Sequence, residues 1–117
     1  MRKFAIKILE EKGEITIRGA GNSMQPLIET GQSIHLKKVL PEQLRVGDAV
    51  FCKVGGSLFV HLITALDAEN QRYTISNNKG HTNGTIGPQK IFGLCVGVDD
   101  KIFISEEELE KRKFPST

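Results

Sequence analysis

Residues 51–66 read FCKVGGSLFVHLITAL, two apolar runs that flank a central Gly-Gly pair. Paired glycines between such runs favour a two-residue turn with positive φ, the usual connection of a β-hairpin. The stretch therefore predicts two antiparallel strands, at residues 49–54 and 58–66. Their pairing places residues 51–53 beside residues 59–61.

Strand-like segments broken by Gly, Pro and Asn turns continue along most of the chain. Ile15 and Ile17 alternate with Thr16 and Arg18, which predicts a strand that starts at Glu14. Further strands are predicted at residues 33–37, 73–76 and 91–104, the last with a break at 99–100.

Two short helices are predicted near the ends of the chain. Residues 2–12 carry apolar side chains at helical spacing and stop at Gly13, a common residue just past a helix C-terminus. Residues from about 106 to 113 follow Ser105, a favourable N-cap, with acids in the first turn and bases in the last. We expect this second helix to be solvated.

The bulk composition predicts a single, mainly β domain over residues 1–117, a β-rich α+β fold with its core at about 14–104. A net charge of +2 is too small for a protein held on nucleic acid by phosphate contacts. Cys52 and Cys95 lie in apolar runs without CxxC spacing, so we expect buried free thiols in a reducing cytoplasm. The N-terminal apolar stretch is short and interrupted by charges, which predicts neither a secretory signal nor a membrane span.

The most informative motif is GNSMQPLIETGQ at residues 21–32, followed by VGDAV at residues 46–50. These boxes resemble the serine peptidase superfamily that joins signal peptidases to LexA-type self-cleaving repressors, with its pattern G-x-S-M-x-P-x-L-x-x-G-D and a later G-D-x-V. The resemblance covers roughly residues 14–98. It implies a coiled, largely antiparallel β fold with a groove that takes an extended peptide as an added strand. The residues that fit the pattern are Gly21, Ser23, Met24, Pro26, Leu27, Gly31, Gly47, Asp48 and Val50.

The same resemblance implies a catalytic pair. Ser23 takes the nucleophile position, and His61, in the run FVHLI, takes the general-base position at a similar separation. A serine hydroxyl needs an adjacent base at neutral pH, and an imidazole that titrates near 6.5 suits that role. Backbone N–H groups at Asn22 and Ser23 are implied as the oxyanion hole. Pro26 is implied in the substrate groove, and Met24 either lines that groove or packs beneath the loop.

The third member of a triad is left open. His81 stands where the family has an aspartate, and a histidine cannot supply the negative charge that stabilises a protonated imidazole. The surrounding sequence GHTNG also fits a tight polar turn. Asp48 and Asp67 are the alternative acids. A further departure is Gln32, which replaces the aspartate of the first box.

The leading prediction is a cytoplasmic serine peptidase-like domain, from a phage or mobile element, that cuts a specific peptide or protein substrate through Ser23 and His61 without a cofactor. The alternative is an inactive peptide-binding or dimerisation module, which would act as a homodimer. A third interpretation is an accessory subunit of a larger regulator. No metal site is expected, since the three histidines lack short ligand spacing and neither cysteine lies with them.

Overall fold

The computed structural model describes residues 2–19 and 31–113. Two helices and eight strands make up these ranges, together with short 3₁₀ turns at Pro41–Gln43 and Pro88–Lys90. In chain order they are α1 (Arg2–Lys12), β1 (Glu14–Arg18), β2 (Ser33–Lys37), β3 (Ala49–Val54), β4 (Ser57–Asp67), β5 (Arg72–Ser76), β6 (Thr82–Ile86), β7 (Ile91–Val98), β8 (Lys101–Ile102) and α2 (Glu106–Lys111).

The strands form one antiparallel sheet in the order β1-β2-β7-β3-β4-β5-β6, with β8 paired to β7. Within the described residues β1 and β6 lie at the two ends of this order. The predicted mainly β, α+β class with short helices near both ends is confirmed. None of the helices described has the length and apolar character needed to cross a bilayer.

The hairpin that opens the sequence argument is confirmed as β3 and β4. Cys52 pairs with Phe59 and Val50 pairs with His61, so residues 50–52 lie beside residues 59–61, one residue earlier than the predicted 51–53. The difference arises because the turn contains only Gly55 and Gly56, and β4 already starts at Ser57, opposite Val54. Gly55 and Gly56 both have positive φ, at 55° and 87°. Those values are the conformation that glycine adopts without the steric cost of a Cβ atom. The turn chemistry therefore fixes the register that carries His61.

Both faces of the sheet centre are buried. Along β3, Ala49 and Phe51 belong to one apolar cluster, whereas Val50 and Cys52 belong to a second. Helix α1 packs Leu9 and its apolar neighbours into the first cluster. Alternate residues of a strand point to opposite faces, and both faces are covered here, which explains why residues 49–52 of β3 are all apolar and buried.

The sheet also coils on itself. Strand β6 is separated from β3 by β4 and β5 in the strand order, yet a Cβ atom at Gly84 would lie 2.9 Å from Val54 Cγ1. Gly84 has a φ of 154°, which disfavours L side chains. The absence of a side chain at this position lets β6 fold over the end of β3 and bring its residues towards the second cluster.

Both cysteines are free thiols and buried, as predicted. Burial disfavours the thiolate and raises the pKa of Cys52 to about 12 and that of Cys95 to about 11. Each thiol is therefore protonated at neutral pH and acts as a small apolar side chain.

Two elements differ from the sequence prediction. The stretch expected as a tight turn around GHTNG contains strand β6, and the turn itself lies earlier, where Gly80 N–H donates to the Asn77 carbonyl. Helix α2 ends at Lys111 instead of near 113, and it is not simply solvated, since Leu109 is buried. In both places a contact with the sheet prevails over the local polarity of the sequence.

Gly97 in β7 provides a test of the close β7–β8 contact. A Cβ atom at Gly97 would lie 2.5 Å from the Lys101 carbonyl oxygen, a backbone atom that cannot rotate away. Gly97→Ala is therefore expected to lower the free energy of unfolding by about 1–3 kcal/mol in urea denaturation. The control is Gly93→Ala on the same strand, where the nearest atom is a Leu9 methyl at 3.1 Å that can shift. Equal losses in the two variants would contradict this account.

Candidate functional site

The predicted site residues Asn22, Ser23, Met24 and Pro26 lie outside the described residues. Backbone hydrogen bonds connect Gly19, the last described residue before this segment, to Gly31 and Gln32, the first described residues after it. Gly31 N–H donates to the Gly19 carbonyl at 2.9 Å, and Gly19 N–H donates to the Gln32 carbonyl at 2.8 Å. Gly19 and Gly31 therefore lie together at the same end of the β1–β2 ladder.

Asp99, in the turn between β7 and β8, anchors this end of the ladder. Its carboxylate accepts from Ser33 N–H at 2.8 Å and from the Gln32 side-chain amide at 3.0 Å. These hydrogen bonds hold the pKa of Asp99 below its ordinary value, with the Ser33 bond the largest cause. Gln32 thus donates to a carboxylate, whereas the peptidase pattern that the chain resembles has an aspartate at this position.

His61 lies on β4, opposite Val50 of β3, and only 3% of its surface is exposed. The hairpin register turns its side chain to the face of the second apolar cluster, which contains Val50 and Ile63. The imidazole stacks on Phe59, with ring centroids 4.4 Å apart and an interplanar angle of 22°. One face of the imidazole is therefore covered by an apolar ring.

Asn83 on β6 supplies the polar contact to this ring. His61 Nδ1 lies 2.7 Å from Asn83 Oδ1. An amide oxygen only accepts hydrogen bonds, so Nδ1 carries the proton and donates it. In the neutral ring this tautomer leaves Nε2 as the basic nitrogen. The coil of the sheet thus produces an oriented imidazole whose Nε2 has the form required of a general base.

The pKa of His61 lies below its ordinary value of 6.5, chiefly because burial penalises the imidazolium. The electrostatic interaction with His81 also lowers this pKa, whereas the hydrogen bond to Asn83 raises it. The ring is consequently neutral, and able to accept a proton, throughout the neutral pH range.

The three residues considered for the acid role, His81, Asp48 and Asp67, form hydrogen bonds with residues other than His61. His81 is exposed, and its backbone N–H donates to Asn77 Oδ1. The Asp48 carboxylate accepts from Arg112. Asp67 accepts from Asn70 in the β4–β5 turn. The neutral side chain of Asn83, by contrast, hydrogen-bonds to the His61 ring.

Sequence reasoning missed Asn83. Asparagine fills the orienting position in cysteine proteases with a Cys-His-Asn arrangement, so its residue type is suited to the role. The available signal was an Asn two residues after the family's acid position. Because Asn-Gly pairs are also typical of turns, this signal pointed equally to local backbone structure.

The histidines do not converge on a metal site. The His35 ring contacts Thr16 Oγ1 at 2.9 Å and donates through Nε2 to the Asp99 carbonyl at 2.8 Å, remote in sequence and on different strands from His61. Within residues 2–19 and 31–113, no group of three or more His, Cys, Asp or Glu side chains is placed to hold a metal ion.

Comparison of the chain with protein-family models, with curated proteins and with solved structures finds no match.

Proposed function

We propose that the protein is a serine peptidase-like hydrolase in which Ser23 is the nucleophile, His61 is the general base and Asn83 orients the base. The observation that carries this proposal is the buried His61, whose Nδ1–H donates to Asn83. A buried imidazole fixed in one tautomer is the arrangement that a hydroxyl nucleophile requires. The Ser-Met-x-Pro motif around Ser23 supports the same assignment through its resemblance to signal peptidases and LexA-type repressors.

The proposed reaction has two acyl-transfer steps. Ser23 Oγ attacks the carbonyl carbon of the peptide bond while His61 Nε2 takes the hydroxyl proton. The imidazolium returns that proton to the leaving amine as the C–N bond breaks, which leaves an ester on Ser23. Water then attacks the ester, His61 removes its proton, and the carboxylic acid departs as Ser23 Oγ regains a proton. Backbone N–H groups at Asn22 and Ser23 are proposed to stabilise the oxyanion.

The test is cleavage of a diverse peptide library, read by mass spectrometry, with wild-type protein beside folded Ser23→Ala and His61→Ala variants. We expect the wild type to cut at defined sequences and both variants to lose that cleavage. Ser33→Ala is a matched control, because this serine lies on β2 and its described contacts are made by its backbone N–H and carbonyl. Cleavage that survives in His61→Ala would rule out this assignment of the base.

One observation favours a second function, an inactive peptide-binding or dimerisation module. The described partner of His61 is a neutral amide, which orients the ring but supplies no negative charge for the imidazolium. On this alternative, wild type and variants would all leave the library uncut, and a library peptide or a second copy of the chain would still bind. Size-exclusion chromatography with light scattering then separates a homodimer from a peptide receptor.

We further propose a cytoplasmic location. Cys52 and Cys95 are buried free thiols on different strands, and unpaired cysteines of this kind are typical of proteins in reducing compartments.

A further inference from the structure

Phe59 and His61 form a stacked pair within one strand. They are two residues apart on β4, so their side chains leave the same face of the sheet. Their ring centroids lie 4.4 Å apart with an interplanar angle of 22°, which places the face of the phenyl ring against the face of the imidazole. Phe59 itself packs against the second apolar cluster, which fixes the position of its ring.

A general base at this position must become a cation during the reaction. Burial opposes that cation, and His81 opposes it as well. Val50, across the ladder on β3, is apolar. Asn83, on β6, orients the ring with a neutral amide. The Phe59 ring lies face to face with the imidazole, and the face of a phenyl ring carries negative quadrupolar potential, so this ring is placed to attract positive charge on His61.

We propose that Phe59 is a positioning residue that stabilises the protonated form of His61 through its ring face. In part it replaces the carboxylate that the family's triad would place next to the base. The catalytic consequence rests on the proposed function, but the interaction between the two rings does not.

The sign of the effect separates this proposal from simple packing. A smaller apolar side chain at position 59 would admit water to the imidazole, and relief of desolvation raises the pKa of a buried histidine. Loss of the ring face removes an attraction for the cation and lowers that pKa. The two explanations therefore predict opposite shifts for the same substitution.

The test is an NMR pH titration of His61 in wild-type protein and in Phe59→Leu and Phe59→Tyr. We expect the pKa of His61 to fall by about 0.4 to 1.5 units in Phe59→Leu and to change little in Phe59→Tyr, which keeps the ring face. An unchanged or raised pKa in Phe59→Leu would overturn the proposal.

Fluorinated phenylalanines at position 59 give a second test that preserves shape and so does not depend on tolerance of a smaller side chain. Successive fluorine atoms withdraw negative potential from the ring face, so the pKa of His61 is expected to fall stepwise with their number. No trend along this series would also overturn the proposal.

The titration needs no catalytic turnover, so its failure is distinct from failure of the proposed function. A fall in the pKa together with an uncut peptide library would keep the ring interaction and remove the peptidase. Where cleavage is observed, Phe59→Leu is expected to move the acid limb of kcat/KM to lower pH by the same amount as the NMR shift. A uniform loss at every pH would indicate a purely structural role.

Discussion

Arg112→Ala is expected to lower the free energy of unfolding by about 3 kcal/mol, because it leaves the Asp48 carboxylate buried without its cation. Arg112 Nη1 lies 2.9 and 3.1 Å from the two Asp48 oxygens and also donates to the Gln43 carbonyl at 3.1 Å. The two charged side chains are only 14% and 6% exposed. This ion pair ties helix α2 to the segment before β3, so its loss is expected to loosen α2.

The pH dependence of this variant provides an internal check. Burial already raises the pKa of Asp48 in the wild type, while the hydrogen bond and charge of Arg112 oppose that rise. Without Arg112 the folded-state pKa rises further above the unfolded value. An acid with a raised pKa regains stability as the pH falls through that folded pKa, so the deficit against wild type is expected to shrink on acidification.

Urea denaturation at several pH values measures both effects. Lys113→Ala is the matched control, because the Lys113–Glu110 pair is exposed and such pairs contribute little to stability. Asp48→Asn in the Arg112→Ala background is expected to recover part of the loss by removing the buried charge. A deficit that is independent of pH would show that the carboxylate does not cause it.

The β3–β4 hairpin, which the sequence predicted, and strand β6, which it did not, show what local sequence can predict in this fold. β3 and β4 follow from residues that all act locally, namely apolar runs and the Gly55-Gly56 turn. β6 does not, because Asn83 and Gly84 have the residue types of a turn. Their strand conformation depends on pairing with β5 and on the approach of Gly84 to Val54, contacts between residues remote in sequence.

The candidate site divides in the same way. The strand that carries His61, and its place after the Ser-Met-x-Pro motif, were readable along the chain, whereas the exact register of the hairpin was predicted one residue off. Asn83 was not predictable, since it reaches His61 only through the coil of the sheet. Helix α2 shows the same limit, because the contact between Arg112 and Asp48 spans 64 residues. Sequence patterns therefore predict the elements, whereas the partners that tune each polar group come from tertiary packing.

Replacement of Asn83 is expected to change both the protonation and the activity of His61. Asn83→Leu removes the acceptor for Nδ1–H, so the imidazole is no longer held in the tautomer that leaves Nε2 basic. On the proposed peptidase function, we expect kcat/KM to fall by about 10²- to 10⁴-fold, a loss typical of a triad histidine in the wrong tautomer. The hydrogen bond to Asn83 raises the pKa of His61. Its loss therefore lowers that pKa and moves the acid limb of the pH profile to lower pH.

Asn83→Asp is expected to act in the opposite direction. A carboxylate at Oδ1 would favour the imidazolium and raise the pKa of His61 by about 1 to 2 units, which shifts the acid limb to higher pH. In the wild type the pKa of His61 is lower in the folded state than its ordinary value of 6.5, so the neutral ring contributes to stability above pH 6.5. That contribution is lost as the pH falls through the folded-state pKa. The aspartate is expected to reduce that acid sensitivity.

NMR titration of His61, pH–rate profiles and thermal unfolding at several pH values follow these changes together. Thr85→Val, an exposed position on the same strand, is the control for general effects on β6. Equal pKa values for His61 in wild type, Asn83→Leu and Asn83→Asp would mean that the 2.7 Å contact does not govern its protonation. Opposite shifts would establish Asn83 as the group that sets the pKa of His61, with the neutral amide a weaker stabiliser of the imidazolium than the carboxylate of Asn83→Asp.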